Sequence, residues 1–297
     1  MRLLALRTVL VATDLDSASA AAIETARALA TAAGASLHVV HVDSAGPTAA
    51  VLDAVDGFLR RCGVAPTVRH THVLLGHPAH SIRLLADRIK ADVIVVGPHR
   101  ERVAADGKRA LGSTALAVVT ESFAPCLVTR SSLRVPLDRV LVAVDQSDAA
   151  RGALVVGLSW ASALRAPATP AQPSAASTML VLHVEPASAA RKFTALSSQD
   201  RSGSLGPELE RIRREAGPWA HVSIESVTRA GDDPAAGIVA AATEHHANLI
   251  VVGTRGLGLD HTGRLGSVAE RLVRTSGIPL LLVPPAVWTS YAAAKAS

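Results

Sequence analysis

Three glycines and a serine in the last third of the chain, Gly253, Gly256, Gly266 and Ser267, stand in the spacing G-x2-G-x9-G-S. Those residue types suit an anion. Glycine lets backbone N–H groups approach a phosphate closely and adopt positive φ, and a helix opening at Gly266-Ser267 adds uncapped N–H donors and a partial positive charge. The Ser267 hydroxyl can reach a phosphate oxygen or cap its own helix. The spacing excludes two other cradles. A P-loop reads G-x4-GK[ST], and no lysine stands beside these glycines. A dinucleotide fingerprint follows the first strand of its unit, whereas this loop follows a late apolar run ending at Gly253. On residue types alone, a phosphate cradle and a flexible strand-to-helix connection both stay open.

Other chemistry is thinly supported. The chain has no G-x-S-x-G nucleophile elbow, no HExxH and no kinase catalytic set, so no catalytic residue is assigned. Asp260 and His261 lie between the loop glycines and could orient a water, which keeps slow hydrolysis of a bound phosphate as an alternative. Of twelve histidines, His70, His72, His77 and His80 fall within eleven residues. His70 and His72 would share one face of a strand, while His77 and His80 would sit on the following turn and helix start. With no cysteine or carboxylate pair to complete a tetrahedral set, they read as surface histidines and no metal site is expected. His245-His246 closes a helix, where an imidazolium suits the dipole.

The scaffold that must hold the glycine loop is written twice in the chain. Val9–Asp14 (VLVATD) corresponds to Val140–Asp145 (VLVAVD), and Leu37–Val42 (LHVVHV) to Met179–Val184 (MLVLHV). Ala91–Gly97 (ADVIVVG) corresponds to Ala247–Gly253 (ANLIVVG), and Ala124–Val128 closes one copy as Ile278–Val283 closes the other. The offset between copies grows from 131 to 142 to 156, which places insertions near Arg165–Thr178 and between Pro186 and Pro207. Both are rich in Pro, Ser or other small polar residues and read as surface loops. Each copy alternates apolar β-branched runs with helical stretches, Ser19–Ala33 and Ala149–Leu164 first, then helices opened by Pro78 and Pro234. Strands separated by helices imply right-handed crossovers and an α/β, mainly parallel sheet covered on both faces. Ligands of such sheets bind beyond the carboxyl ends of the strands. Asp14 and Asp145, His41-Val42 and His183-Val184, and the loops after Gly97 and Gly253 all end strands, so each set should converge on one crevice per copy.

Composition narrows the partners. At 297 residues there is room for two domains, and 49% apolar against 19% charged residues is globular. Aromatics are only 2%, which argues against base stacking as a binding mode. The net charge of +5 is scattered, and the densest basic cluster, Arg211, Arg213 and Arg214, is interleaved with Glu208, Glu210 and Glu215. A solvated helix face follows, with no nucleic-acid partner. Cys62 and Cys126 have no paired spacing, which fits a reducing, cytoplasmic compartment. The amino-terminal apolar run ends within a few residues at Asp14 and reads as strand one rather than a signal sequence, and no run is long enough to span a membrane.

The strand-to-helix segment VLVAVDQSDAA, the strand LVLHV, and VVGTRG followed by nine residues and GSVA together resemble the universal stress protein family, as a tandem pair over nearly the whole chain. The resemblance implies two Rossmann-like (adenine nucleotide alpha hydrolase-like) domains of five strands each, set at residues 1–134 and 135–287 with a tail at 288–297. It also implies dimerisation through the last strand, here an intramolecular pseudo-dimer, with a homodimer of chains as a further option. In the members that carry the motif it implies an adenine nucleotide, ATP or else ADP or AMP, with Mg able to accompany it and no dedicated hydrolytic apparatus. Carried onto this sequence, Asp145 would contact the ribose or adenine end and the Val184 backbone the adenine edge. Gly253, Gly256 and Gly266 would wrap the phosphates, Arg255 would cover the ribose-phosphate region, and Ser267 and Val268 would close the pocket. Asp145 equally suits a turn or N-cap, Val184 the core and Arg255 a solvated loop. The first copy departs from the pattern: Gly97 and Gly112-Ser113 are kept, but Arg100 replaces the middle glycine and eleven residues follow it. That half is therefore expected to be a structural partner, leaving one nucleotide site; a nucleotide-independent interaction scaffold is the remaining alternative.

Overall fold

The computed structural model describes residues 5–97, 111–145, 147–166, 177–185, 221–256 and 264–296. The insertions around 165–178 and 186–207, the Arg211 cluster, Arg100 and its flanking charges, and Asp260-His261 lie mostly or wholly outside them. The first half runs β1 (Thr8–Ala12), α1 (Ala20–Ala33), β2 (Ser36–Val42), α2 (Ala49–Arg61), β3 (His70–Leu74), α3 (Pro78–Ile89), β4 (Val93–Val96), α4 (Ser113–Glu121) and β5 (Cys126–Val128). The second runs β6 (Arg139–Ala143), α5 (Asp148–Ala163), β7 (Ser177–Glu185), β8 (Val222–Ala230), α6 (Pro234–Glu244), β9 (Leu249–Gly253), α7 (Ser267–Thr275) and β10 (Leu280–Val283). A last helix, α8 (Pro285–Ala296), stands where the sequence suggested only a tail.

The strands join into one ten-stranded sheet of order β3-β2-β1-β4-β5-β10-β9-β6-β7-β8. Inside each half the neighbours are parallel, with Val9 beside Leu37 and Val93, and Val140 beside Met179 and Leu249. Where the halves meet, β10 pairs antiparallel with β5, Leu281 opposite Leu127. Val, Ile and Leu fill the central strands because helices bury both of their faces. Alternation then sorts the residues. Val9, Val11, Val93 and Val95 point to the layer holding α1, α2 and α5, while Leu10, Val40, Ile94 and Val96 point to the layer holding α3, α4, α6 and α7.

Helix α5 is buried almost all round, which requires cover on its outer side. Helix α8 supplies it: a Cβ at Gly152 would lie 3.4 Å from the Trp288 backbone nitrogen. The Arg151 guanidinium sits 5.9 Å from the centre of the Trp288 ring. On the inner side, a Cβ at Gly157 would meet Val142 Cγ2 at 2.6 Å, so helix and sheet touch more closely than any side chain permits. The first strand of each half is anchored alike. Asp92 Oδ2 accepts from the N–H groups of Arg7 and Thr8 at 2.8 Å each, and Asn248 Oδ1 accepts from Asp138 and Arg139 at 3.0 and 2.9 Å. Between the halves, the Arg130 guanidinium donates to the carbonyls of Val273 and Arg274 at the carboxyl end of α7, where a cation complements the helix dipole.

Candidate functional site

The carboxyl ends of β6, β7 and β9 open onto a cavity of about 450 Å³. Asp145, Val184, Gly253, Arg255, Gly256, Gly266, Ser267 and Val268 all line it. Each is placed by a local rule. After β6 the chain turns at Asp145, whose Oδ1 accepts from the N–H of Ser147 at 2.9 Å and from its hydroxyl. Ser147 then caps α5 by accepting from the Ala150 N–H at 3.2 Å. Asp145 is thus a turn residue that also presents Oδ2 to the cavity, and the cap belongs to Ser147.

The loop that follows β9 is pinned at both ends. Thr254 N–H donates to the Val283 carbonyl at 2.9 Å, and the Thr254 carbonyl accepts from Gly266 N–H at 2.8 Å. Gly266 stands at the N-cap of α7 with φ −62° and makes no side-chain cap, and Ser267 opens the helix without capping it. The first-turn N–H groups of α7 therefore face the cavity without a side-chain acceptor, which is what an anion requires. Helix α5, capped by Ser147, and α6, capped by Asp233, offer no such end.

Gly253, Gly256 and Gly266 do not act through positive φ, contrary to the expectation from sequence: among the described residues the left-handed glycines are Gly34, Gly46, Gly63 and Gly76. Closeness is what they supply. A Cβ at Gly256 would lie 2.7 Å from Asp145 Oδ2, so the loop rests against the carboxylate. At Gly253 it would lie 2.6 Å from Ala149 Cβ and 2.9 Å from the Ala149 carbonyl carbon, which makes this glycine a packing residue between β9 and α5. Gly266 is less tight, with backbone of Thr254, Arg255 and Gly256 at 3.4 Å.

Among the polar lining residues, Ser147 and Arg264 escaped the sequence reading, while His183 stands at the strand end where it was expected. The D-x-S spacing before an alanine-rich helix signals the Ser147 cap. His183 repeats His41, and each ring places Nδ1 on a backbone carbonyl, Val144 at 3.0 Å and Thr13 at 2.9 Å. Arg264 precedes Gly266 by two residues and joins Arg255 at the rim; among the described residues neither forms a salt bridge. Asp145 is the one carboxylate among the lining residues, and no group of three His, Cys, Asp or Glu among the described residues is placed to hold a metal ion. No described helix is long and apolar enough to cross a membrane.

The first half has a counterpart of about 190 Å³, lined by Asp14, Ser19, His41, Gly97, Gly112 and Thr114 among others. Its turn is built differently. Leu15 takes φ 63°, Thr13 Oγ1 bonds Ser19 Oγ at 2.8 Å, and Asp16 rather than a serine caps the turn that leads into α1.

The universal stress protein family model matches residues 5–61, 56–130 and 136–284. The chain belongs to the universal stress protein family. Over 74 residues it is 39% identical to the universal stress protein in the QAH/OAS sulfhydrylase 3′ region of Thermus aquaticus, 25% of this chain and 54% of that one. The chain thus spans about half the length of that curated relative. The fold is similar to a universal stress protein from Archaeoglobus fulgidus DSM 4304, with a TM-score of 0.65, 21% identity, and 94% and 98% of the two chains covered. It is similar also to a functionally unknown protein from Pseudomonas aeruginosa PAO1, with a TM-score of 0.64, 18% identity and 99% of each chain covered. In universal stress protein terms the chain carries the fold in duplicate.

Proposed function

We propose that this universal stress protein binds one adenine nucleotide, ATP first, in its second half, and that the first half serves as its structural partner. The observation that carries the reading is the convergence at one cavity of an uncapped helix end, two arginines that form no salt bridge among the described residues, and a loop closed onto Asp145. Helix dipole and guanidinium groups favour a polyphosphate, and the carboxylate suits ribose hydroxyls. The apolar side, Leu182, Val184, Ile238 and Val252, suits a planar base. Size supports the choice of half, because about 450 Å³ lies within the range of nucleotide-sized ligand sites and about 190 Å³ does not. Mg would travel with the phosphates, since Asp145 is the single carboxylate among the described lining residues and already accepts from Ser147. The reading is one of binding without turnover; Asp260 and His261, the groups that could orient a water, lie outside the described residues.

Titration calorimetry of ATP into the full chain tests it. One ATP per chain is expected, with affinity lowered about tenfold or more in Arg255→Ala/Arg264→Ala and phosphate release no faster than in buffer. Two equivalents per chain would refute the single site. Absence of binding at millimolar ATP would refute the nucleotide.

A further inference from the structure

Outside both cavities, the first half gathers three imidazoles on one face of its edge strands. His38 lies opposite His70 in the β2–β3 register, and His72 lies opposite Val40. Because β-strand side chains alternate, His38, His70 and His72 all stand on the α3 side. The His38 and His70 rings stack at 4.5 Å, and His38 and His72 at 5.3 Å with planes 8° apart. His38 Nδ1 and His72 Nε2 are 3.0 Å apart. That bond needs one nitrogen as donor and one as acceptor, so it forms between neutral rings or with a single added proton and never between two imidazolium ions.

The described surroundings offer no countercharge. From β1, Leu10 stands beside His38. From α3, the charge acting on His72 is Arg88, a cation; Arg83 is held by Glu121, and Asp87 faces a different pocket with Leu6 and Lys90. Partial burial and the neighbouring imidazoles hold His38 down to about 4, and burial with Arg88 lowers His72 as well. Both shifts run below the usual histidine value of 6.5, so these rings are less easily protonated folded than unfolded. Their contribution to stability is complete above pH 6.5 and is lost as pH falls towards 4.

We infer that His38, His70 and His72 are an acid-triggered release for the edge strand β3. β3 has a strand partner on one side only, β2, and with five residues against nine in β8 it is the shorter of the two edge strands, so it detaches more easily. Two protons on three stacked rings beside Arg88 break the His38–His72 bond and set like charges across the β2–β3 ladder. Release bares the edge of β2 for another strand. It also frees the turn through Gly76 into α3, whose Pro78 and Ile82 line the first-half cavity.

Hydrogen–deuterium exchange of the full chain, read by mass spectrometry at pH 7.5, 6.5, 5.5 and 4.5 with labelling times corrected for intrinsic exchange, tests this. Opening of the His70–Leu74 peptide is expected to rise on the order of tenfold from pH 6.5 to 4.5 while β1 and β9 peptides stay protected. In His38→Gln/His72→Gln, checked for native melting at pH 7.5, the rise should vanish. In His70→Ala it should be smaller, because without that imidazole His38 is less depressed in the folded chain. A flat wild-type profile, an equal rise in the double glutamine variant, or a rise that β1 and β9 share would each overturn the inference.

Discussion

Two glycines of one motif, three positions apart, are expected to fail in different ways when each receives a single methyl group. At Gly256 the new Cβ would sit 2.7 Å from Asp145 Oδ2, where ordinary contact begins near 3.4 Å, so the carboxylate must retreat by about 0.7 Å. Asp145 can do so by rotating, because the obstructing atom ends a side chain at the rim of an open cavity. Gly256→Ala should therefore lower stability by less than about 1 kcal/mol, in the range of surface substitutions. The displaced carboxylate, however, loses its place for a ribose hydroxyl. A charged hydrogen bond is worth about 1.5–3 kcal/mol, so ATP affinity should fall about tenfold to a hundredfold. At Gly253 the obstruction is the backbone of α5, at 2.9 Å from the Ala149 carbonyl carbon and 3.1 Å from the Ala150 nitrogen. The helix itself must move against a filled core, and overpacking of that kind costs about 1–3 kcal/mol. Trp160, Trp219 and Trp288 all belong to the second half, so fluorescence-monitored urea unfolding reads the affected half directly. Calorimetry supplies the affinity. The reasoning is refuted if both variants lose the same stability, or if Gly256→Ala binds ATP as the wild type does.

Further outcomes follow from single contacts. Arg255→Ala/Arg264→Ala should weaken ATP about tenfold or more at low ionic strength, with the gap to wild type narrowing as salt is raised, measured by titration in increasing NaCl. Asp92→Ala removes the acceptor of two strand-opening N–H groups and should cost about 1–2 kcal/mol in urea unfolding. Asp92→Asn should cost less than half of that, because Asn248 already performs the same task in the second half. Cys126 is buried and its thiol is pushed up to about 12, so at pH 8 it should resist alkylation until the chain unfolds, while partly exposed Cys62 reacts first. Peptide mapping after iodoacetamide distinguishes the two.

The site was legible because the chain supplies its own comparison: repeated strand ends at Asp14 and Asp145, His41 and His183, and Gly97 and Gly253 mark one crevice per copy. All eight residues read from the motif do line one cavity. Their physical roles were less legible. Spacing identifies a glycine but not its neighbour, so Gly256 against a carboxylate and Gly253 against a helix look identical in sequence, and neither adopts the positive φ first expected. Arg264 carries no pattern of its own and joins the rim only because Gly266 is tied to Thr254. Residues 288–297 read as a tail because they lie beyond the second repeat; the apolar outer side of α5, which helix α8 covers, is a tertiary requirement. The histidines of β3 looked like ordinary surface residues because their partner, His38, lies a whole crossover earlier in the chain.

The antiparallel seam between β5 and β10 has a consequence for inheritance. It turns the strands of one half against those of the other, so the two cavities open at opposite rims of the sheet and share no wall. In an assembly of two identical chains, any substitution alters both crevices at once, and a glycine lost from one is lost from both. Joined in one polypeptide, the copies mutate separately. The seam keeps them folded together while one retains its glycine loop and the other is free to acquire a different turn, a smaller cavity and a cluster of histidines.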